Sequence, residues 1–213
     1  MLREKNAFLF DLDGTLVDSD FLHAAAFGES LDAHMPELAT GFSYGLLRGL
    51  STRDAFRSMG VADEEVLDTL VASKRSCYRT LVSRGFLKPL PGSLELLTHL
   101  QQADRHLCLV TGGSRLSVEQ VLVATGLSVF FRHEHIITAE DVSRGKPAPD
   151  LYTLAISRIG LDTHQCVGIE DSLLGMLACT RAGLECVVVN DSVAVWPNVP
   201  VYPSLMALLK VLR

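Results

Sequence analysis

The feature that most constrains the fold is a series of short, continuous apolar runs, each stopping on polar residues or glycine. They are AFLFD (7–11), HLCLVTGG (106–113), HIIT (135–138), CVGIED (166–171) and ECVVVND (185–191). A strand with one wet face alternates apolar and polar side chains. Unbroken Val, Ile, Leu and Cys runs instead fit strands covered on both faces, as in parallel sheets. Helix-like segments separate the runs beyond residue 89: Ser93–Gln102, Ser114–Thr125, Asp150–Ile159 and Ser172–Arg181. Each begins at Ser or Asp, and the last three end at or near a glycine, the residues that favour helix starts and stops. The alternation predicts a doubly wound parallel α/β sheet.

Between residues 17 and 88 the alternation stops. Helical patterns replace it over Asp20–Ala33, Pro36–Leu47, Thr52–Met59 and Asp63–Arg84, the last with Val66, Leu70, Cys77 and Leu81 along one side. The stretch leaves through RGFLKPLPG, rich in glycine and proline. The simplest organisation is an α/β core made of residues 1–16 and 89–213, with residues 17–88 inserted after the first strand as a helical unit. The alternative wraps these helices onto the same core.

The first apolar run ends on two acids one residue apart, in FDLDGT (10–15). Open α/β sheets bind ligands at the carboxyl ends of their strands, where Asp11 and Asp13 fall. Two close carboxylates raise each other's pKa, and burial raises it further, so a cation or a shared proton belongs to the arrangement. Taken alone, the acids could simply cap a turn. The other strand ends change that balance. CVGIED closes on Glu170 and Asp171, a second acidic pair. Carboxylates from two strand ends make an oxygen-rich site suited to Mg2+. LCLVTGG closes on Thr111 and Gly112 before a helix start, and a hydroxyl with close-approaching backbone N–H groups suits an anion. SRGKPAPD holds Lys146 in a proline-bounded turn, where an ammonium can neutralise phosphate.

The net charge of -6 argues against a nucleic-acid binder held by phosphate contacts. No apolar run approaches the ~18 residues of a membrane span, and charge interrupts the N-terminal stretch before a signal sequence develops. The five cysteines (Cys77, Cys108, Cys166, Cys179 and Cys186) form no CxxC pair and read as reduced, buried side chains, which points to a cytoplasmic protein.

The order DLDGT, VTGG, GKPAPD and GIEDS resembles the haloacid dehalogenase superfamily, in its phosphatase and phosphomutase branch, and spans residues 11 to 171. The resemblance implies a Rossmann-like core with an inserted helical cap, Mg2+ as cofactor and a small phosphorylated metabolite, of the sugar-phosphate class, as substrate. It makes Asp11 the nucleophile that forms an aspartyl-phosphate and Asp13 the general acid/base. Asp13 would then need anionic surroundings to hold a proton near neutrality, since a free aspartic acid titrates near 3.9. Asp11, the Asp13 backbone carbonyl, Glu170 and Asp171 would hold the metal. Thr111, Gly112 and Lys146 would hold the phosphoryl oxygens.

The cap would supply substrate residues. His23 follows Asp11 by twelve positions, and LRGLSTRDAF (47–56) is similar to the cap loop of β-phosphoglucomutase, placing Arg48, Gly49, Ser51 and Asp54. That loop's arginine after the serine is replaced by Thr52, with Arg53 one position later. A lysine shortly after the Thr111 position is replaced by Ser114, with Arg115 next. A mutase must hold a second phosphate during turnover, so these departures favour a phosphatase over a phosphomutase. A phosphate-accepting receiver domain is a remoter alternative, because it lacks a helical insert.

Overall fold

The computed structural model describes residues 2–189 and 199–213. Five strands form one parallel sheet: β1 (Ala7–Phe10), β2 (His106–Val110), β3 (Ile136–Ile137), β4 (Cys166–Glu170) and β5 (Glu185–Val188). Their order is β3-β2-β1-β4-β5. The chain fills one side of β1 with β2 and β3, then returns to fill the other with β4 and β5. The reversal opens a crevice at the carboxyl end of β1, where open α/β sheets bind ligands.

Side-chain alternation divides the strands between two apolar layers. Phe8 and Phe10 face a core shared with Leu96, Val121 and Leu208, while Ala7 and Leu9 face one shared with Leu151, Tyr152 and Met176. The first layer rests on α5 (Ser93–Gln102), α6 (Arg115–Thr125) and α9 (Leu205–Leu212). The second rests on α7 (Asp150–Ile159) and α8 (Leu173–Arg181). Helices on both faces explain why the strands read as unbroken apolar runs. The expected run ECVVVND ends in residues 190 and 191, which lie outside the described residues.

Between β1 and β2 the chain builds α1 (Asp20–His34), α2 (Pro36–Ala39), α3 (Thr52–Ser58) and α4 (Glu64–Ser83). The outgoing and returning segments run side by side. Val17 pairs with Pro89 in an antiparallel bridge, and Leu90 N–H donates to the Leu16 carbonyl at 2.9 Å. Phe27, Leu31, Phe56, Leu67 and Leu70 bury a third apolar cluster among these helices. Each large side chain so buried contributes about 1.5–3 kcal/mol, so the helices have a core of their own.

Two helical expectations are corrected. Pro36–Leu47 is not one helix: α2 stops at Ala39, Gly41 takes a φ of +80°, and a separate 3-10 turn covers Tyr44–Leu47. A left-handed glycine ends a helix readily because it has no Cβ to clash. The buried face of α4 is also rotated from the one expected. Leu67, Leu70, Val71, Lys74, Tyr78 and Val82 point inward, while Val66 is exposed. This face carries a lysine that is only 3% exposed.

Candidate active site

Parallel register sets the strand ends level. Phe10 stands opposite Ile169, and Asp11 N–H donates to the Ile169 carbonyl at 3.0 Å, so Asp11 emerges beside Glu170. Alternation turns Asp11 to the same face as Leu9, toward α7 and the loop before it. There it meets Lys146, whose Nζ lies 2.6 Å from Asp11 Oδ1 and 2.6 Å from Glu170 Oε1. Tyr152 Oη donates to the same Glu170 oxygen at 2.5 Å. Asp171 completes a group of three buried carboxylates, with oxygens within 4.8 Å of one another.

Gly14 makes this approach possible. Its φ is +79°, and a Cβ there would lie 2.1 Å from Asp171 Oδ2. Any other residue at the DLDGT turn would push the second acidic pair away from the first.

The cluster carries more negative charge than its neighbours offset. Burial raises the Asp11 pKa well above its usual range; Lys146 works against this, while Glu170 and Asp171 add to it. Burial and then Glu170 bring Asp171 up to about 7, with Arg48 and Lys146 opposing. Burial pulls Lys146 down, but Asp11 and Glu170 outweigh it and keep the ammonium charged. Three carboxylates face one ammonium, and Glu170 Oε2 is buried without a donor among the described residues. An orphaned carboxylate oxygen in a group rich in oxygen ligands fits a divalent cation.

Asp13 has different company. Ser19 Oγ donates to its Oδ1 at 2.6 Å and Tyr78 Oη does so at 3.3 Å. His23 Nε2 lies 3.0 Å from the same oxygen, though too bent for an aligned hydrogen bond. Lys74 Nζ lies 2.8 Å from His23 Nδ1, and the imidazole stacks on Tyr78 at 4.2 Å. Burial raises the Asp13 pKa, yet His23, Ser19 and Lys74 together outweigh it and bring it down to about 2. The expectation that anionic neighbours keep Asp13 protonated is therefore corrected: its neighbours are donors and cations, and they hold it as a carboxylate.

Asp11, Asp13, His23, Arg48, Gly49, Thr111 and Gly112 all line one pocket between the sheet and the helical insertion. Thr111 Oγ1 accepts from Gly113 N–H at 3.0 Å, which leaves its own proton to donate. Arg48 binds Asp20 and lies 4.0 Å from Asp171. Lys146 does not line the pocket; it is buried behind Asp11. Two further expected residues lie elsewhere. Arg53 binds Glu64 and Asp68 on the insertion. Arg115 is held by the Ile136 carbonyl and by Asp141 at 2.7 Å.

Lys74, Tyr78, Tyr44 and Arg75 also line the pocket and had no place in the sequence reading. The spacing of Lys74 and Tyr78, four apart on a helix, places them on one face. Only the packing of α4 against α1 shows that this face is buried.

Comparison with known proteins gives the same picture. The family pattern described as haloacid dehalogenase-like hydrolase matches residues 8–189. Validoxylamine A 7'-phosphate phosphatase of Streptomyces hygroscopicus subsp. limoneus is 34% identical over 185 residues, covering 84% of this chain and 83% of that protein. Hexitol phosphatase A of Escherichia coli (strain K12) is 34% identical over 185 residues, covering 86% and 82%. A hydrolase from Pseudomonas syringae superposes with a TM-score of 0.83 at 30% identity, over 98% of both chains. With its four motifs gathered at the carboxyl ends of a parallel sheet, the chain belongs to the haloacid dehalogenase-like hydrolase family.

Proposed function

We propose that the protein is a Mg2+-dependent phosphatase that hydrolyses a small phosphorylated metabolite, of the sugar-phosphate class, through an aspartyl-phosphate on Asp11. The observation that carries this reading is the convergence of Asp11, Asp13, Thr111 and Gly112 on one pocket, with three buried carboxylates behind it. The phosphatase names of two relatives aligned over most of the chain support it. Residues 17–88 act as the cap that closes over residues 1–16 and 89–213. The five cysteines are free, in keeping with a reducing, cytoplasmic setting. Among the described residues no helix is long and apolar enough to cross a membrane.

Asp11, Glu170 and Asp171, with the Asp13 carbonyl, would hold Mg2+. When bound, the ion offsets the negative charge that otherwise keeps a phosphate dianion from an anionic nucleophile. Thr111 and the Gly112 N–H orient the phosphoryl oxygens, so the ester oxygen faces away from Asp11. Lys146 fixes Asp11 from behind and offsets part of its charge. Asp13, once it has taken up a proton from solvent against the pull of its neighbours, passes it to the departing alcohol and then regains one from the water that attacks the phosphorus. The donors around it hold the base form, which serves the second step directly.

Arg53 and Arg115, the arginines next to the two positions where the sequence departs from the mutase, are held by acids away from the pocket. A phosphomutase needs a site for a second phosphate, so hydrolysis is the better reading. The test is phosphate release from a panel of sugar, hexitol and nucleotide monophosphates with Mg2+, alongside β-glucose 1-phosphate with and without the 1,6-bisphosphate. Release that EDTA abolishes is expected. Isomerisation of the glucose phosphate without release would overturn the assignment.

A further inference from the structure

Behind the pocket lies a buried phenol that the proposed chemistry does not use. Tyr152, on α7, has no exposed surface, and its ring packs in the apolar layer with Leu151, Ala155 and Cys179. A phenylalanine would fill that space as well. A hydroxyl in such a place is costly unless it is hydrogen-bonded, and among the described residues this one has a single partner, Glu170 Oε1 at 2.5 Å. That oxygen also accepts from Lys146 at 2.6 Å, while Glu170 Oε2 has no donor among the described residues. Both hydrogen bonds thus fall on one oxygen of a fully buried carboxylate, and the other oxygen is left bare.

Lys146 is shared as well, since it lies 2.6 Å from Asp11 Oδ1. Without the phenol, Glu170 would have only this ammonium to satisfy it, in competition with Asp11. Tyr152 therefore lets one cation serve two acids.

We propose that Tyr152 is a positioning residue of the divalent-cation site: its hydroxyl fixes Glu170 with Oε2 free for the ion and keeps Lys146 between Glu170 and Asp11. The proposal rests on the reading of this cluster as a Mg2+ site. Groups that orient a ligand from behind typically change metal affinity by about 10–100-fold when removed.

The test is Tyr152→Phe, which keeps the ring and deletes only the donor. Mg2+ binding to substrate-free protein is measured by calorimetry and by the Mg2+-dependent rise in Tm. Affinity is expected to fall about tenfold or more. A variant that is merely less stable, with Mg2+ affinity within twofold of the parent, overturns the proposal. Glu170→Gln provides a second background in case the first variant folds poorly. With the carboxylate gone, adding Tyr152→Phe is expected to change Mg2+ affinity less than twofold, and an equal loss in both backgrounds overturns the proposal. If the unaltered protein takes up no Mg2+, the cofactor reading itself fails, an outcome distinct from unchanged affinity in Tyr152→Phe.

Discussion

Asp11 and Asp13 are two residues apart, and their surroundings push their pKa values in opposite directions. Asp11 lies buried among acids and is pushed up; Asp13 lies among donors and is held near 2. Replacing Asp13 with Asn keeps the shape and removes the proton carrier, so kcat is expected to fall by about 10²–10⁴ in steady-state assays. Lys74 offers a second measurement. Burial lowers its pKa to about 7 from an ordinary 10.5, against the pull of Asp13. Below pH 7 both folded and unfolded chains hold the proton, and the buried ammonium carries its full penalty. Between about 7 and 10.5 the folded chain sheds the proton that the unfolded chain keeps, so this group makes stability rise with pH. Thermal denaturation across that range should show the rise in the parent and a flatter curve in Lys74→Met, which should also lose activity through His23 and Asp13. The motif acids were legible in the sequence because a strand that ends on charge is unusual. Lys74 and Tyr152 were not, since a lysine on a helix and a tyrosine in an apolar run look ordinary until a neighbour buries them.

At the scale of elements, α4 carries contacts between the insertion and the helices and loops around the sheet. Arg75 Nη1 reaches Glu140, beyond β3, at 3.1 Å, and Gln120 on α6 donates to the Arg79 carbonyl at 2.9 Å. The Arg75–Glu140 pair is partly exposed, so it is worth at most about 1 kcal/mol. Glu140→Gln is therefore expected to raise KM by less than about tenfold, an effect that fades at high salt. The Gly49 contact is less forgiving. Its φ is +83°, and a Cβ there would lie 2.8 Å from Ser172 Oγ and 3.2 Å from Leu174 Cβ. Gly49→Ala should lower kcat/KM well beyond Glu140→Gln, because the loop can no longer close onto the end of β4. The sheet strands and the four longer helices between residues 93 and 181 could be read from apolar runs and caps; the C-terminal helix Leu205–Leu212 was not. The break at Gly41 and the rotated face of α4 could not, because tertiary packing chooses among several helical stripes of similar hydrophobicity.

For the whole molecule, the topology accounts for the site. Strand order reverses at β1, so the first and fourth strands end side by side and their acids meet. The class of sheet was legible in the sequence; the strand order, and which acids meet, depended on pairing and register. The crowding carries a cost that depends on pH. Burial and Glu170 push Asp171 up to about 7 in the folded chain, from an ordinary carboxylate value of 3.8, so its ionisation destabilises the fold as pH rises through that interval. Mg2+ at the proposed site would compete with those protons and should raise Tm more at pH 8 than at pH 5; at a hundredfold excess over Kd the full stabilisation at a given pH is about 2.7 kcal/mol. The central claim is the covalent step on Asp11. The most direct measurement is rapid acid quenching during turnover of an active phosphate ester, followed by borohydride reduction and peptide mass spectrometry. A reduced acyl-phosphate at Asp11, absent from Asp11→Asn, is the predicted result. A phosphoryl group on another residue, or steady phosphate release from Asp11→Asn at the parent rate, would contradict it.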